Sequence, residues 1–569
     1  MKISDFIAEY LLKNNIDTCF SVTGGFAMHL NDSFGSKLNV TYTNGEGPAG
    51  YSAIGYSKVD QTPSVVCVTS GCGETNAVTP CMIAYQDSVP IFFISGGVPH
   101  KESIRWKRLE EGVEVRTFSG SDHDVIETVK GITKYACVVW DPSRIVEYLD
   151  TCLLHLTSGI PGPVWMSIPL DIQSINVDFI VPAPVKCISS IWKDCLEDFP
   201  YDKWIAAQRP VILVGNGLYL SKSQNLFKKF IEHHKIPVVS TFFATDTSPP
   251  YNMGRVGILG DRTGNFVIQN ADFILNIGSR LAKSVIGYRP EWFARDADIV
   301  SINLTSIKGV TCIMDIKNFF EVEDLPQKYN VSLWLDKTQS WKNKWFREIP
   351  NPGSERCPYT FLNRFYDKKP NGGICVASSG SIFCVNWHQF LNKGDDKFII
   401  SSHGDMGFEI PCSIGCALYC PNKIVYCIVG DGSFQFNFQE IQTIKDLNLS
   451  IKILYFNNGG YGAIKITQDS YFKRRFGVDI SCPDVQKICN VYSLKYFTQY
   501  ELDEMLDFDG PCLIEIVCDV QARHPRLVNL MREDGTFDNK PAEDMYPFLE
   551  REEFLNEMCI KHVGSATCI

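Results

Sequence analysis

The sequence lacks an apolar run long enough to cross a membrane, and it lacks an excess of basic residues. A membrane-spanning helix needs about 20 mostly apolar residues, and no segment has that length and polarity. The 569-residue chain carries a net charge of −11, which argues against nucleic acid or an anionic membrane as its main partner. Its start, Met1-Lys-Ile-Ser-Asp-Phe, enters an amphipathic helix pattern directly and does not resemble a signal peptide. These absences predict a cytoplasmic protein that binds neither nucleic acid nor membrane.

The cysteines lack the spacing of a zinc site. There are 22 of them, placed singly in apolar runs such as Ile424-Val-Tyr-Cys427-Ile-Val, and CxxC pairs do not recur. A disulfide scaffold is typical of short secreted chains. We therefore expect buried free thiols in a reducing compartment.

What the sequence does contain is an alternation of short apolar runs with helical patterns, which predicts an α/β fold with parallel sheets. Two stretches with the composition of linkers, about 171–200 and 348–355, divide the chain. We predict three open parallel-sheet domains at 1–175, 190–345 and 358–535, and a C-terminal tail at 536–569. Self-similarity between the first and third segments is too weak to establish a repeat. The predicted buried strands are 65–69, 91–95, 211–214, 273–277, 424–429 and 451–456.

The strongest motif lies in the third segment. The strand 424–429 runs into Gly430-Asp431-Gly432-Ser433 at the start of a helical pattern, and the strand 451–456 ends in Asn457-Asn458-Gly459-Gly460-Tyr461. Glycines let backbone N–H groups approach phosphate oxygens at a helix N-terminus. Carboxylate, amide and carbonyl oxygens are suited to Mg²⁺. The motif predicts a diphosphate held through a magnesium ion.

This strand–GDGS–helix–strand–NN order, with Asn458 placed 27 positions after Asp431, resembles the acetolactate synthase and pyruvate decarboxylase superfamily of thiamine-diphosphate-dependent enzymes. The resemblance covers nearly the whole chain. It implies a pyrimidine-binding, a middle and a diphosphate-binding domain, in that order. It also implies magnesium ligation by Asp431, Asn458 and Gly460, and cofactor contacts from Gly430, Gly432, Ser433, Ser381 and Tyr461.

The resemblance further implies the groups that activate the cofactor. Glu46 aligns with the glutamate that shares a proton with pyrimidine N1′, because Gly55-Tyr56 follows at the expected distance. In Ser402-His-Gly-Asp-Met-Gly, the Gly404 carbonyl would hold the 4′-amino group and Met406 would be the wedge that bends the cofactor. The alternatives are a solvated loop glutamate and a core methionine. The site would lie between two subunits, which implies a homodimer or homotetramer.

The flanks of Glu46 depart from the family pattern. Relatives often have His-Glu-Gln where this chain has Gly45-Glu46-Gly47, so the groups that meet the substrate carboxylate are not assigned. Lys465, which follows the metal motif, is one hypothesis for contact with a carboxylate or phosphate.

Gly25 bears on the reaction. Simple decarboxylases often have an acidic residue at its position, whereas acetolactate synthases have glycine, which favours carboligation. The stretches 23–32 and 534–553 resemble an acetolactate-synthase-like subgroup of deoxysugar and surface-polysaccharide pathways, the yersiniose-type carboligases. We therefore expect decarboxylation of a 2-oxo acid, with pyruvate as first choice, and transfer of the acyl carbanion to a keto-deoxysugar nucleotide. The alternatives are acetolactate formation, simple decarboxylation to an aldehyde, or a non-catalytic binding protein.

Several further residues have two interpretations. Gly215, Gly217, Gly278 and Arg280 resemble FAD-contacting positions, but strand-end glycines are also needed for packing. His29 is equally consistent with acid–base chemistry and with a structural role. We expect Cys72 to be a packing cysteine, and Asp122-His123-Asp124 to be a solvated loop.

Overall fold

Three parallel sheets of six strands each form the framework of the computed structural model. The structure describes residues 1–178, 180–185, 196, 199–247, 250–307, 309–322, 325–327, 331–349, 354–519, 529–531 and 537–563. The parts of the two predicted linkers and of the C-terminal tail that fall between these ranges lie outside the described residues. No described helix is both long and apolar enough to cross a bilayer.

The first sheet has the strand order β2-β1-β3-β4-β6-β5. Its strands are β1 Thr18–Ser21, β2 Asn39–Tyr42, β3 Ser64–Thr69, β4 Ile91–Gly97, β5 Tyr135–Val138 and β6 Val164–Pro169. Its helices are α1 Ile3–Lys13, α2 Met28–Lys37, α3 Glu46–Asp60, α4 Cys72–Asn76, α5 Val78–Asp87, α6 Ile104–Glu111, α7 Val125–Val129, α8 Ile145–Thr157 and α9 Leu170–Gln173.

The second sheet has the order β12-β11-β10-β7-β8-β9. Its strands are β7 Pro210–Val214, β8 Val238–Ser240, β9 Asn252–Arg255, β10 Phe273–Ile277, β11 Asp298–Asn303 and β12 Val310–Ile313. Its helices are α10 Tyr201–Ala206, α11 Gly217–Leu220, α12 Gln224–His234, α13 Arg262–Gln269, α14 Lys283–Ile286, α15 Ile316–Val322 and α16 Ser332–Trp345.

The third sheet has the order β14-β13-β15-β16-β18-β17, which repeats the order of the first. Its strands are β13 Ile374–Val376, β14 Lys397–Ile399, β15 Val425–Gly430, β16 Ile451–Asn457, β17 Lys495–Thr498 and β18 Cys512–Val517. Its helices are α17 Pro358–Lys368, α18 Gly380–Gln389, α19 Glu409–Tyr419, α20 Asp431–Asn437, α21 Ile441–Asp446, α22 Gly462–Tyr471, α23 Val485–Val491 and α24 Leu502–Asp507. An antiparallel pair, β19 Asn529–Met531 and β20 Phe537–Asn539, and the helix α25 Arg551–Glu557 follow.

All six strands predicted from the apolar runs are present, and the predicted α/β class is confirmed. Each run is buried along nearly its whole length, as expected for strands covered by helices on both faces. The cysteines of the described residues are free thiols, and most are buried.

The first and third units pack through α3 and α19. The two helices approach so closely that a Cβ on Gly415 would lie 1.8 Å from the Ser52 carbonyl oxygen, and one on Gly55 would lie 2.0 Å from that of Cys412. Glycine is therefore required where the backbones touch. One continuous apolar core includes side chains of both units. The contact fixes the loops that follow β2 and β14, where both helices begin.

The residues after the third sheet pack on the second unit. Arg262 of α13 donates hydrogen bonds to the carbonyl oxygens of Met545 and Pro547, and the Arg295 guanidinium pairs with the buried Glu543 carboxylate at 2.9 Å. The described part of the predicted C-terminal tail, 537–563, is thus attached along the second sheet.

Candidate active site

Three oxygen atoms converge where β15 and β16 end. Asp431 is the first residue of α20, and Asn458 follows β16. The Asn458 side-chain oxygen lies 2.7 Å from the Gly460 carbonyl oxygen and 3.3 Å from Asp431 Oδ1. Three acceptors at these distances repel one another unless the amide is turned or a cation lies between them. Oxygen ligands at about 2.1 Å from Mg²⁺ in an octahedron are about 3 Å apart, so this donor set fits a magnesium ion.

Backbone N–H groups hold the Asp431 carboxylate in this position. Its Oδ2 accepts from the N–H of Asn458 at 3.0 Å and of Gly460 at 2.9 Å, and its Oδ1 accepts from that of Gly432 at 2.7 Å. Burial raises the pKa of Asp431, and these hydrogen bonds oppose the rise. A divalent cation would favour the ionised carboxylate strongly.

Lys465 supports the metal loop. Its side chain is buried; the ammonium donates to the Gly459 carbonyl oxygen and pairs with Asp479 at 2.8 Å. Both contacts are with the protein itself, and the hypothesis that Lys465 contacts substrate stays a prediction.

Met406, Gly432 and Tyr461 lie together beside the predicted cation ligand Asp431. A Cβ on Gly432 would lie 2.7 Å from the Tyr461 ring and 3.3 Å from the Met406 methyl group. Gly404 has a φ of +77° and Gly407 one of +87°, a backbone conformation that favours glycine. A Cβ on Gly404 would have no neighbour within 4 Å. The predicted wedge and the predicted carbonyl donor are thus on one loop, adjoining the GDGS motif.

Three helices begin at this side of the third sheet. Helix α18 carries Ser381, α19 starts at Glu409, and α20 carries Ser433. A Cβ on Gly430, which precedes α20, would contact nothing within 4 Å. The Ser433 hydroxyl donates to Glu409 Oε2 at 2.6 Å and accepts from the Gly407 N–H at 2.7 Å. Helix N-termini that converge in this way are suited to a diphosphate.

Glu46 is the first residue of α3, at the carboxyl end of β2. Its Oε2 accepts a hydrogen bond from Asn76 Nδ2 at 3.0 Å, and the preceding Asn44 N–H donates to the buried Glu440 of the third unit at 2.9 Å. Asn76 thus supplies a polar neighbour that Gly45 and Gly47 do not. Among the described residues, no hydrogen bond joins Glu46 to the loop 402–408, so the predicted juxtaposition of Glu46 with Met406 across two subunits stays a prediction.

The structure also places the remaining residues that were singled out in the first unit. A Cβ on Gly25 would contact nothing within 4 Å, and His29 is half-buried in α2. The expectation for Cys72 was wrong, because it is exposed at the start of α4. The expectation of a solvated loop at 122–124 was also wrong. Asp122 is buried and accepts a hydrogen bond from the Ile104 N–H at 2.6 Å. Asp124 accepts a hydrogen bond from the Arg105 guanidinium and caps α7.

A cavity of about 670 Å³ opens where the three units meet. Its walls include Gly217, Gly278 and Arg280 of the second unit, and Ser378 and Gly404 of the third. The same glycines also satisfy the packing interpretation. A Cβ on Gly217 would lie 2.6 Å from Gly278 Cα, and one on Gly215 would lie 2.6 Å from the Gly278 carbonyl oxygen.

Comparison with known proteins identifies the family. The family model described as "Thiamine pyrophosphate enzyme, N-terminal TPP binding domain" matches residues 1–113, the central domain of the same enzymes matches 205–311, and the C-terminal TPP binding domain matches 381–516. The chain belongs to the thiamine pyrophosphate enzymes. Thiamine pyrophosphate is thiamine diphosphate, so the family resemblance and the enzymatic class predicted from the motifs are confirmed.

Relatives of this thiamine pyrophosphate enzyme include acetolactate synthases. The large subunit from Lactococcus lactis subsp. lactis (strain IL1403) is 27% identical over 553 residues, covering 90% of this chain and 92% of the relative. The isozyme 2 large subunit from Escherichia coli (strain K12) is 24% identical over 547 residues, covering 91% and 96%. The chloroplastic enzyme of Arabidopsis thaliana is 26% identical over 599 residues, covering 95% and 84%. The deoxysugar subgroup is not among these names.

Sequence reasoning missed three residues of this thiamine pyrophosphate enzyme. Asn76 lies four residues after Cys72 and had no role assigned from the sequence. Glu409 reads as an ordinary acidic residue in a first helical turn, and Asp87 as the polar end of a helix before Ser88-Val-Pro. Only tertiary contacts reveal which groups the carboxylates of Glu409 and Asp87 bind.

Proposed function

We propose that this enzyme decarboxylates pyruvate and joins the resulting acyl group to a second 2-oxo acid, the reaction of an acetolactate synthase. The observation that carries the proposal is the match with acetolactate synthases along about 90% of both chains. Open space at Gly25 supports it, because an acceptor needs room beside the reacting carbon.

Thiamine diphosphate, when bound, supplies the electron sink for the acyl carbanion. Asp431, the Asn458 side chain and the Gly460 carbonyl would hold the magnesium ion, and the backbone N–H groups at Gly432, Ser433 and Ser381, with Tyr461 beside them, would hold the diphosphate. Glu46 would hold a proton at pyrimidine N1′, with Asn76 orienting its carboxylate. The Gly404 carbonyl would accept from the 4′-amino group while Met406 supports the bent ring pair.

The second candidate acceptor is a keto-deoxysugar nucleotide. It is favoured by the open space at Gly25, where a Cβ would contact nothing within 4 Å, because a larger acceptor needs that room. Aldehyde release without any acceptor is the remaining outcome of the same chemistry.

The test uses the purified full chain with thiamine diphosphate, Mg²⁺ and carbon-labelled pyruvate, with and without a 4-keto-deoxysugar nucleotide. Labelled acetolactate in both reactions would support the proposal. A labelled branched sugar that forms in preference to acetolactate would replace it with the second candidate, and acetaldehyde alone would exclude both. Glu46→Gln, which keeps the shape and removes the acid, should abolish turnover while thiamine diphosphate still binds.

We also propose that the central cavity binds FAD in a role without redox chemistry. Its volume lies within the range of cofactor sites, Phe242 and Phe383 line it, and Arg280 offers a cation to the phosphates. The flavin absorbance of the purified protein and FAD titration of the apoprotein test this. Arg280→Ala should weaken FAD at least about tenfold, since a hydrogen bond to a charged group contributes about 1.5–3 kcal/mol. An apoprotein that does not bind FAD would leave the glycines to packing alone.

A further inference from the structure

Glu409 is a buried carboxylate beside the proposed diphosphate site, and nothing in the activity just proposed needs it. It is 1% exposed. Its Oε1 accepts from both the N–H and the hydroxyl of Ser379 at 3.0 Å, and its Oε2 accepts from the Ser433 hydroxyl at 2.6 Å. Among the described residues no lysine, arginine or histidine forms an ion pair with it. One carboxylate thus connects the starts of α18, α19 and α20.

These contacts decide where the serine protons point. A hydroxyl has a single proton to donate. The Ser433 proton is directed at Glu409, and the Ser433 oxygen also accepts from the Gly407 N–H at 2.7 Å. While Glu409 is ionised, Ser433 therefore has no proton to offer a phosphate oxygen. If Glu409 is protonated, its own O–H can donate to Ser433, and the Ser433 proton is then free to turn outward.

The charges favour the same outcome. An ionised Glu409 would place a negative charge next to a bound diphosphate, and like charges disfavour ionisation. Burial already raises the pKa of Glu409, although its hydrogen bonds with the serines oppose the rise. The titratable groups that face it are Tyr51 on α3 and Cys427 on β15. Burial raises the pKa of both, so both are neutral near pH 7. The charge of Asp431, at the start of α20, would be offset by the magnesium ion that it is proposed to hold.

We propose that Glu409 couples the binding of thiamine diphosphate to the uptake of one proton: the cofactor binds the form in which Glu409 is protonated, and the Ser433 hydroxyl then donates to phosphate. The one bond that forms is the O–H bond of the Glu409 carboxyl. The proton comes from solvent, passes to Glu409, and is released when the cofactor leaves. The proposal rests on the family's cofactor and is independent of which acceptor the enzyme uses.

The sign of the pH dependence follows from linkage. Below the pKa that Glu409 has in the cofactor-free protein, the carboxyl is already protonated and its contribution to the dissociation constant is constant. Above that pKa, each binding event must take up a proton, so the dissociation constant rises tenfold per pH unit. The diphosphate group has its own ionisation, and a matched variant is needed to separate the two.

The experiment is isothermal titration of the cofactor-free full chain with thiamine diphosphate at saturating Mg²⁺, across the pH range in which the protein stays folded. Buffers of different ionisation enthalpy count the protons taken up. Glu409→Gln is the matched variant, since its amide can still accept from Ser379 and donate to Ser433 without titrating. Glu501→Gln, an exposed carboxylate in the loop before α24, controls for the loss of one charge.

We expect wild type and Glu501→Gln to lose affinity more steeply with pH than Glu409→Gln, by a factor approaching ten per unit, and to take up about one proton more per cofactor bound. Parallel pH dependences in all three proteins would overturn the proposal and leave the cofactor site intact. If Glu409→Gln does not fold, the wild-type proton count is taken at pH values where the free diphosphate is already fully ionised and releases no proton on binding: no uptake there overturns the coupling. Wild type that binds no thiamine diphosphate would overturn the cofactor assignment as well.

Discussion

A buried ion pair fastens the loop that carries Gly404 and Met406 to the first unit. The Lys58 ammonium lies 2.5 Å from Asp87 Oδ2, with the two side chains 7% and 0% exposed. Lys58 also donates to the carbonyl oxygen of Ile400, and Asp87 accepts from the N–H of Ser402 at 3.3 Å and from its hydroxyl. Removing either charge should therefore loosen the segment 400–406.

The size of the effect follows from the burial of the pair. In Asp87→Asn the Lys58 ammonium stays buried without its counter-charge, which costs about 3–5 kcal/mol for pairs of this kind. Lys58→Met leaves the Asp87 carboxylate in the same position, with only Ser402 to solvate it. The double variant contains no unpaired charge. Its loss of unfolding free energy should be smaller than the sum of the losses in the two single variants, with a coupling energy of about 0.5–3 kcal/mol.

Urea unfolding, followed by tryptophan fluorescence, would measure the free energy of unfolding of wild type, the two single variants and the double variant. A titration with thiamine diphosphate would measure the cofactor affinity of the same four proteins. The two single variants should bind the cofactor more weakly than wild type, because the Gly404 loop is less fixed. Asp503→Asn is the control: its ion pair with Lys368 is 43% and 63% exposed, and such pairs contribute about 0–1 kcal/mol. The reasoning would be refuted if the losses of unfolding free energy in the two single variants added to that of the double variant within about 0.5 kcal/mol. It would also be refuted if Asp87→Asn were no less stable than the control.

Three further predictions concern the third unit. Asp431→Asn removes the one carboxylate ligand and should raise the Mg²⁺ concentration needed for cofactor binding at least about tenfold; an unchanged metal titration would exclude the cation site. Gly415→Val should lower the thermal unfolding temperature by forcing α3 and α19 apart, an overpacking cost of at least about 1–3 kcal/mol, and wild-type melting would contradict the close approach. Lys465→Met should weaken Mg²⁺-dependent cofactor binding without a selective change in the KM for pyruvate. A selective rise in that KM would instead support a contact between Lys465 and the substrate.

The fold was predictable because its two sequence signals, the short apolar runs and the glycine or asparagine residues that follow them, are local. Runs such as 424–429 and 451–456 are short, apolar and followed by glycine or asparagine, which identifies buried parallel strands and places ligands at their ends. The proposed cation ligands Asp431 and Asn458 follow two neighbouring strands of this kind. Their juxtaposition therefore follows from strand pairing alone.

The residues that sequence reasoning placed wrongly depend on long-range contacts. Asp122 looks like a loop residue, and only the approach of the Ile104 N–H makes it a buried acceptor. Cys72 looks like a residue inside a packed strand end, but Gly71 with φ +76° turns the chain so that the side chain starts a short helix at the surface. Glu409 and Asp87 were missed for the same reason, since their partners are more than twenty residues away in the chain.

The shared strand order of the first and third sheets relates the two halves of the site. Strand β2 occupies in the first sheet the place that β14 occupies in the third. Glu46 follows the former, the Gly404–Met406 loop follows the latter, and α3 and α19, which begin after those two loops, are the helices that touch. The groups proposed to activate the cofactor and to bend it therefore come from equivalent strand ends, and within one chain the helices that follow those ends meet at Gly55 and Gly415. Such an equivalence is hidden in the sequence, because the two loops share a place in the fold while their residues, a glutamate in one and a methionine in the other, perform different tasks.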